Sequence, residues 1–174
     1  MTTKKALILT GQGFEDAELL CPMNRLLEAG CRVDVAAASK EPLTGKHGYT
    51  VQADLALDEL GDDPSRDYDL LFIPGGKPPA ELRENEKALK TARAFDKAEK
   101  PIASICHGPQ VLMSAGLLEG RRVTSHSGVG PEFKEYGAHY ENIEVVVEDH
   151  YIFSRTPGDI PAFNREMMLK LYSL

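Results

Sequence analysis

Cys106, His107, His126, Glu18 and the pair Gly75-Gly76 are the residues whose types and positions could do chemistry together. Cys106 follows the apolar run Ile102–Ile105 at once and is itself followed by His107-Gly108. A nucleophile on such a strand-to-helix turn projects from a sheet edge while its neighbours stay packed. The N-terminus of the next helix would add unpaired N–H groups and a positive dipole end, both of which favour thiolate over thiol. The competing reading is that a free cysteine is a small buried hydrophobe, as most are. That plainer reading is taken for Cys21 and Cys31, which lie in or just after an amphipathic helix. His107 could serve as general base or orient the sulfur, and its backbone N–H could join an oxyanion site. His126 ends another strand-like run and could reach the same cleft. His47, His139 and His150 sit in loop or hairpin contexts, where a histidine is usually just a polar residue, and no role is assigned to them.

Glu15, Asp16 and Glu18 open the first helical pattern. Acids near a helix N-terminus need no special explanation, and for Glu15 and Asp16 that is the expectation. Glu18 stands beside Leu19 and Leu20, so a modest helical offset turns it inward. A carboxyl buried near a thiolate has a raised pKa, since burial and like charge both disfavour ionisation. Such a group can donate a hydrogen bond to sulfur or shuttle a proton. Gly75-Gly76, after Pro74, lets backbone approach a ligand without a Cβ in the way, and its N–H groups could face a developing oxyanion. It could equally be an ordinary tight turn. No dinucleotide fingerprint is present: Gly11-Gln12-Gly13 lacks the third glycine, and acids follow where phosphate would sit.

The elements that must position these groups alternate along the chain. Ala6–Thr10, Val33–Ala38, Tyr68–Ile73, Ile102–Ile105 and Arg122–Ser125 read as strands. Glu144–Val147 and Tyr151–Ser154 read as a hairpin around Glu148-Asp149-His150, and Pro42 to Asp54 as a smaller hairpin or excursion. Helical spacing covers Leu19 to Leu27, with Gly30 as C-cap, then Asn85–Lys97, Val111 to Ala115 and Pro161 to Leu171. Pro22 within the first of these predicts a kink or a late start. Strands alternating with helices imply right-handed crossovers and an α/β, flavodoxin-like, doubly wound and mostly parallel sheet with helices on both faces. Ligands bind such sheets beyond the carboxyl ends of the strands. Gly11–Glu18, Pro74–Gly76, Cys106–Gly108 and His126-Ser127 all leave strands at that edge.

The 174 residues suit one domain, expected over 1–174, and 42% apolar content is enough for a real core. Lys and Arg number 20 against 27 Asp and Glu, giving a net charge of −7 that argues against a nucleic-acid partner. The three cysteines form no CxxC or Cys/His metal spacing, and neither a metal nor an organic cofactor is suggested. No run approaches a membrane span, and Ala6–Leu9 after Lys4-Lys5 is too short for a signal-peptide core. No membrane partner and a cytoplasmic location are the expectations.

Several segments carry a family resemblance: Gly13-Phe14-Glu15-Asp16-Ala17-Glu18, Gly45-Lys46-His47-Gly48-Tyr49, Pro74-Gly75-Gly76, Ala103-Ser104-Ile105-Cys106-His107-Gly108-Pro109-Gln110 and Ser154-Arg155-Thr156-Pro157. Together they resemble the ThiJ/PfpI superfamily across essentially the whole chain, and its PfpI-like branch most closely. The resemblance implies Cys106 as nucleophile, Glu18 as its carboxyl partner, Gly76 with the His107 backbone as oxyanion site, and Gly75 and Arg155 in substrate binding. It also implies a homo-oligomer, a dimer or a hexameric ring. Family activities include glutathione-independent glyoxalase, deglycase, peptidase or amidase, and redox-linked sensor or chaperone. The substrate implied is a small carbonyl, a glycated adduct or a peptide. Two departures bear on the choice. Where the peptidase-type branch has an acid donated by a neighbouring subunit to complete a triad, this chain has Ala80, with Glu81 about 100° away around a helix. His126 matches the Parkinson-associated branch instead. Both turn the expectation from peptidase toward reactive-carbonyl chemistry, with peptidase and redox sensor as alternatives.

Overall fold

The computed structural model describes residues 3–173. Strands β1 (Lys5–Leu9), β2 (Arg32–Ala37), β5 (Leu55–Ala56), β6 (Leu70–Ile73), β7 (Ile102–Ile105), β10 (Val145–Glu148) and β11 (Tyr151–Ser154) form one sheet in the order β10-β11-β7-β6-β1-β2-β5. Every pairing in it is parallel except β10 with β11. Strand alternation divides the core between the two faces. Leu7, Leu9, Leu71 and Ile73 pack under α3 (Glu86–Lys97), α4 (Pro109–Ser114) and α5 (Gly130–Tyr136). Ala6, Ile8, Leu70 and Phe72 pack under α1 (Asp16–Glu28) and α6 (Ile160–Tyr172). Phe95 and Phe133 on the first face, and Phe163 on the second, have no exposed surface. Each contributes roughly 2–3 kcal/mol of burial.

From β1 the chain moves outward through β2 to β5, then returns to β6 on the other side of β1. The strand order therefore reverses between β1 and β6, and a crevice opens beyond their carboxyl ends, where the chain continues as Thr10 and Pro74. β7, the next strand over, delivers Cys106 to the same rim.

The differences from the sequence reading are local. The first helix does not wait for Pro22: it starts at Asp16, with the Glu15 side chain capping the Glu18 N–H at 2.8 Å, and it stays helical through the proline. Pro22 is buried on it. Gly30 does close this helix, at φ +78°. The excursion after β2 is the hairpin β3 (Pro42–Thr44) and β4 (Thr50–Gln52), and it is followed by the two-residue edge strand β5, which the sequence did not announce. Arg122–Ser125 is not a fifth strand of the central sheet. Only β8 (Arg122–Val123) forms, paired with β9 (His139–Tyr140) in a separate ladder, and β11 takes the place beside β7. α5 and the short α2 (Pro78–Leu82) were also missed, because both begin with prolines and glycines that read as turn. Among the described residues, no helix is long and apolar enough to cross a membrane.

Candidate active site

Cys106 has φ +64°, in the left-handed region that a side chain disfavours by about 1 kcal/mol or more. Hydrogen bonds on both sides hold it there. Its N–H donates to Ser154 O of β11 at 3.1 Å, and its carbonyl accepts the His126 N–H at 2.9 Å. The bend ends β7 and directs the side chain into a cavity of about 420 Å³ lined by Glu15, Glu18, Lys46, Gly76, Lys77, Cys106, His107, His126, Thr156 and Pro157. Cys106 is only 7% exposed, so the sulfur lies at the floor of this cavity, not on an open rim.

Glu18 meets it from α1. The residue is 1% exposed, and its carboxyl faces the Cys106 thiol and the Gly75 N–H. Neither carboxyl oxygen has an ideally placed hydrogen-bond partner among the described residues. Burial, reinforced by the neighbouring Glu15 charge, pushes this carboxyl up to about 7. Burial and the Glu18 charge together push the thiol up to about 12. At neutral pH the thiol therefore keeps its proton while the carboxyl is about half ionised, and the carboxylate form is the group poised to take the sulfur's proton. The expected thiolate at a helix N-terminus is corrected on this point. α4 begins only at Pro109, and the N–H groups that face the sulfur are those of His107 and Gly76.

The glycine pair is required by close approach. A Cβ on Gly75 would run into Glu18 Oε2 and lie 2.5 Å from Cys106 Cβ. Gly76 has φ +94°, and a Cβ there would meet the Glu15 N–H and lie 2.6 Å from Gly13 O. The loop after β6 is thereby pressed against both the thiol and the start of α1.

His107 places Nδ1 3.2 Å from Cys106 Sγ, and its ring stacks on His126 with centroids 4.8 Å apart. Burial, then the His126 and Lys46 charges, lowers its pKa, so this imidazole is neutral in the resting site. His126 Nδ1 accepts the Gly128 N–H at 3.1 Å, which leaves its ring proton on Nε2 and makes it a donor toward the cavity. It does not touch the sulfur; His107 stands between them. Arg155 is not brought into the site. Its guanidinium makes a two-pronged pair with Asp159, at 2.8 and 3.0 Å, and also reaches Asn142. Ala80 is exposed on α2, and Glu81 faces a different cavity beside Thr10 and Asn85. Among the described residues no group of three or more His, Cys, Asp or Glu side chains is arranged to hold a metal ion.

Sequence reasoning missed Lys46 and Lys77 in the cavity wall, and it gave Asp16 too plain a role. Asp16 accepts the His47 N–H at 2.8 Å and the Tyr49 N–H at 3.0 Å, pinning the β3–β4 turn against α1. Lys46 N–H to Phe14 O and Gly13 N–H to Thr44 O complete the attachment. Gly45-Lys46-His47-Gly48 stood out in the sequence, but its contact with helix α1 is long-range and leaves no local pattern.

A family profile described as DJ-1/PfpI matches residues 4–170. The chain belongs to the DJ-1/PfpI family. Deglycase TK1284 of Thermococcus kodakarensis is 46% identical over 164 residues, which are 94% of this chain and 97% of that protein. Deglycase PfpI of Pyrococcus furiosus is 44% identical with the same coverage. The crystal structure of Drosophila melanogaster DJ-1beta superposes with a TM-score of 0.90 at 25% identity, covering 99% of this chain and 92% of that one. The DJ-1/PfpI fold is the flavodoxin-like sheet described above, and this family member, like the relatives that carry deglycase names, is an enzyme.

Proposed function

We propose that the protein is a cysteine-dependent enzyme acting on reactive carbonyls, of the glutathione-independent glyoxalase or deglycase type. The observation that carries this reading is the Glu18 carboxyl buried against Cys106 with its pKa brought up to about 7. A general base is most effective when its pKa lies near the working pH. As Sγ attacks the aldehyde carbon of a 2-oxoaldehyde, its proton passes to Glu18, and the new oxyanion is received by the N–H groups of Gly76 and His107. The product of this step is a hemithioacetal. A proton then moves from the carbon bonded to sulfur to the adjacent carbon, with Glu18 as carrier and the His126 Nε2–H supporting the enediolate oxygen. The thioester formed is hydrolysed by water, which returns the thiol and releases a 2-hydroxy acid. The net change is 2-oxoaldehyde plus water to 2-hydroxy acid. A hemiaminal or hemithioacetal adduct of the 2-oxoaldehyde joins the same sequence once its C–N or C–S bond breaks at the carbinol carbon, which frees the amine or thiol and leaves the aldehyde for Sγ to attack.

An amide is a far harder electrophile and calls for an imidazolium–thiolate pair held by an acid. Here His107 is neutral, its ring bonds to the sulfur and stacks on His126, and among the described residues no carboxylate hydrogen-bonds to it, which weighs against the peptidase reading. The deciding experiment incubates the protein, Cys106→Ser and Glu18→Gln with methylglyoxal and measures lactate. Lactate from the wild type, with a loss of about 10³-fold or more in both variants, is expected. Lactate persisting in Cys106→Ser would overturn the proposal, and cleavage of a fluorogenic peptide dependent on both Cys106 and His107 would favour the alternative.

A further inference from the structure

We infer that the cavity is built for a carbonyl substrate that carries an anionic group, a carboxylate or a phosphate, a few atoms from the reacting carbon. The inference rests on the proposed chemistry at Cys106 and adds the substrate's charge class. Two lysines, Lys46 and Lys77, stand in the cavity wall. Neither has a salt-bridge or side-chain hydrogen-bond partner among the described residues, although most other cations of this acidic chain do. Lys4, Lys40 and Lys100 are engaged, as are Arg25, Arg32, Arg66, Arg83, Arg93, Arg121, Arg122, Arg155 and Arg165.

The two carboxyl groups that share the wall are turned to partners within the fold. Glu15 accepts the Glu18 N–H at 2.8 Å and pairs with His47 Nε2 at 3.6 Å. Glu18 faces the Cys106 thiol and the Gly75 N–H. Asp16, the third acid of this segment, is turned onto the β3–β4 turn by its two backbone hydrogen bonds. The cavity wall thus carries two exposed lysines against the Glu15 carboxylate and the half-ionised Glu18, and the Lys46 charge reaches both Glu18 and His107.

Both lysines are also anchored. The Lys46 N–H is bonded to Phe14 O at 2.8 Å, on a turn that Asp16 clamps. The Lys77 N–H is bonded to Gly13 O at 3.1 Å, and its aliphatic stem lies so close over Gly13 that a Cβ there would be 2.9 Å from Lys77 Cδ. The two cations thus come from opposite sides, one from the hairpin and one from the loop after β6, each tied to the segment leading into α1. Both lysines are exposed, so their attraction for an anion is modest and salt-sensitive, and it concentrates and orients anions at the cavity mouth. An aldehyde whose anionic end meets these ammonium groups would have its carbonyl end left for the sulfur on the cavity floor.

The test compares methylglyoxal with 4,5-dioxopentanoate, a 2-oxoaldehyde bearing a carboxylate, and with that compound's methyl ester. A phosphorylated three-carbon 2-oxoaldehyde separates phosphate from carboxylate preference. The carboxylate substrate is expected to have a kcat/KM about ten-fold above its ester, carried by KM and eroded by added salt. Lys46→Gln and Lys77→Gln should each remove about three-fold of that acid-over-ester preference. Equal kcat/KM for acid and ester would overturn the inference and leave the carbonyl chemistry standing. A second readout does not depend on turnover: alkylation of Cys106 by iodoacetate and by iodoacetamide, followed at the Cys106 peptide by mass spectrometry. The iodoacetate-to-iodoacetamide rate ratio should fall about five-fold in each lysine variant. A ratio unchanged in both refutes the inference even if no aldehyde is turned over.

Discussion

Glu18→Gln isolates the energetic consequence of burying a carboxyl beside a thiol. The Glu18 carboxyl, ordinarily near 4.5, stands at about 7 in the folded protein. The folded state therefore holds this proton more tightly than the unfolded state does. Below pH 4.5 both states are protonated and burial of the neutral acid costs little. As the pH rises, the unfolded chain ionises first, and stability falls until the folded carboxyl has also ionised near pH 7. At about 1.4 kcal/mol per unit, the interval amounts to about 3 kcal/mol. Cys106 does not interfere in this window, because its thiol is protonated in both states until the pH approaches 9. Urea unfolding of wild type and Glu18→Gln, at half-unit steps from pH 4 to 8, measures the difference directly. The wild type should lose about 3 kcal/mol relative to the variant between pH 4.5 and 7.5, then run parallel to it. A flat difference, or one in which the wild type gains on the variant as pH rises, would refute the argument that this acid is desolvated by burial. In the same variant the Cys106 thiol, freed from the Glu18 charge, should titrate below its wild-type value in an alkylation-rate profile.

Other substitutions probe other parts of the site. Gly76→Ala, which forces a Cβ onto the Glu15 backbone at φ +94°, should destabilise by about 2–4 kcal/mol and abolish turnover, as thermal melts and lactate assays would show. His107→Ala should slow Cys106 alkylation and turnover by about 10–100-fold without shifting Tm much, since among the described residues its ring hydrogen-bonds to the sulfur alone. Asp16→Ala, which releases the His47 and Tyr49 N–H groups, should cost about 2 kcal/mol in urea unfolding and raise KM more than it lowers kcat. Arg155→Ala should lower stability by about 1–2 kcal/mol while leaving KM unchanged; a selective rise in KM would place Arg155 back in substrate binding.

The parts of the fold that were legible in the sequence are those where local pattern and tertiary role agree. Ile102–Ile105 is a wholly buried parallel strand and reads as one, a short run of small and apolar residues broken only by Ser104. Asn85 before Glu86–Lys97 is both the preferred residue at a helix start and the observed cap, accepting the Ala88 N–H. Arg122–Ser125 misled because its β-branched residues satisfy a two-stranded ladder at the molecule's flank as well as they would a central sheet, and only long-range pairing distinguishes the two. Glu18 was readable because its apolar neighbours betrayed an inward face. Arg155 was carried by its motif into a binding role, whereas its geometry is that of a strut across the start of α6, visible only once Asp159 and Asn142 are placed around it. The same holds for Lys46, whose position depends on a clamp between residues 31 and 33 positions apart.

The β3–β4 turn hangs from residues 13–16 by four short polar links, and the reacting groups do not depend on it. One side of the pocket can therefore be rebuilt as a unit: exchanging the loop from Gly45 to Tyr49 would retune which carbonyl compounds enter, while sulfur, acid and backbone donors keep their places. Diversification of substrate range within this architecture needs only a new awning over an unchanged hearth.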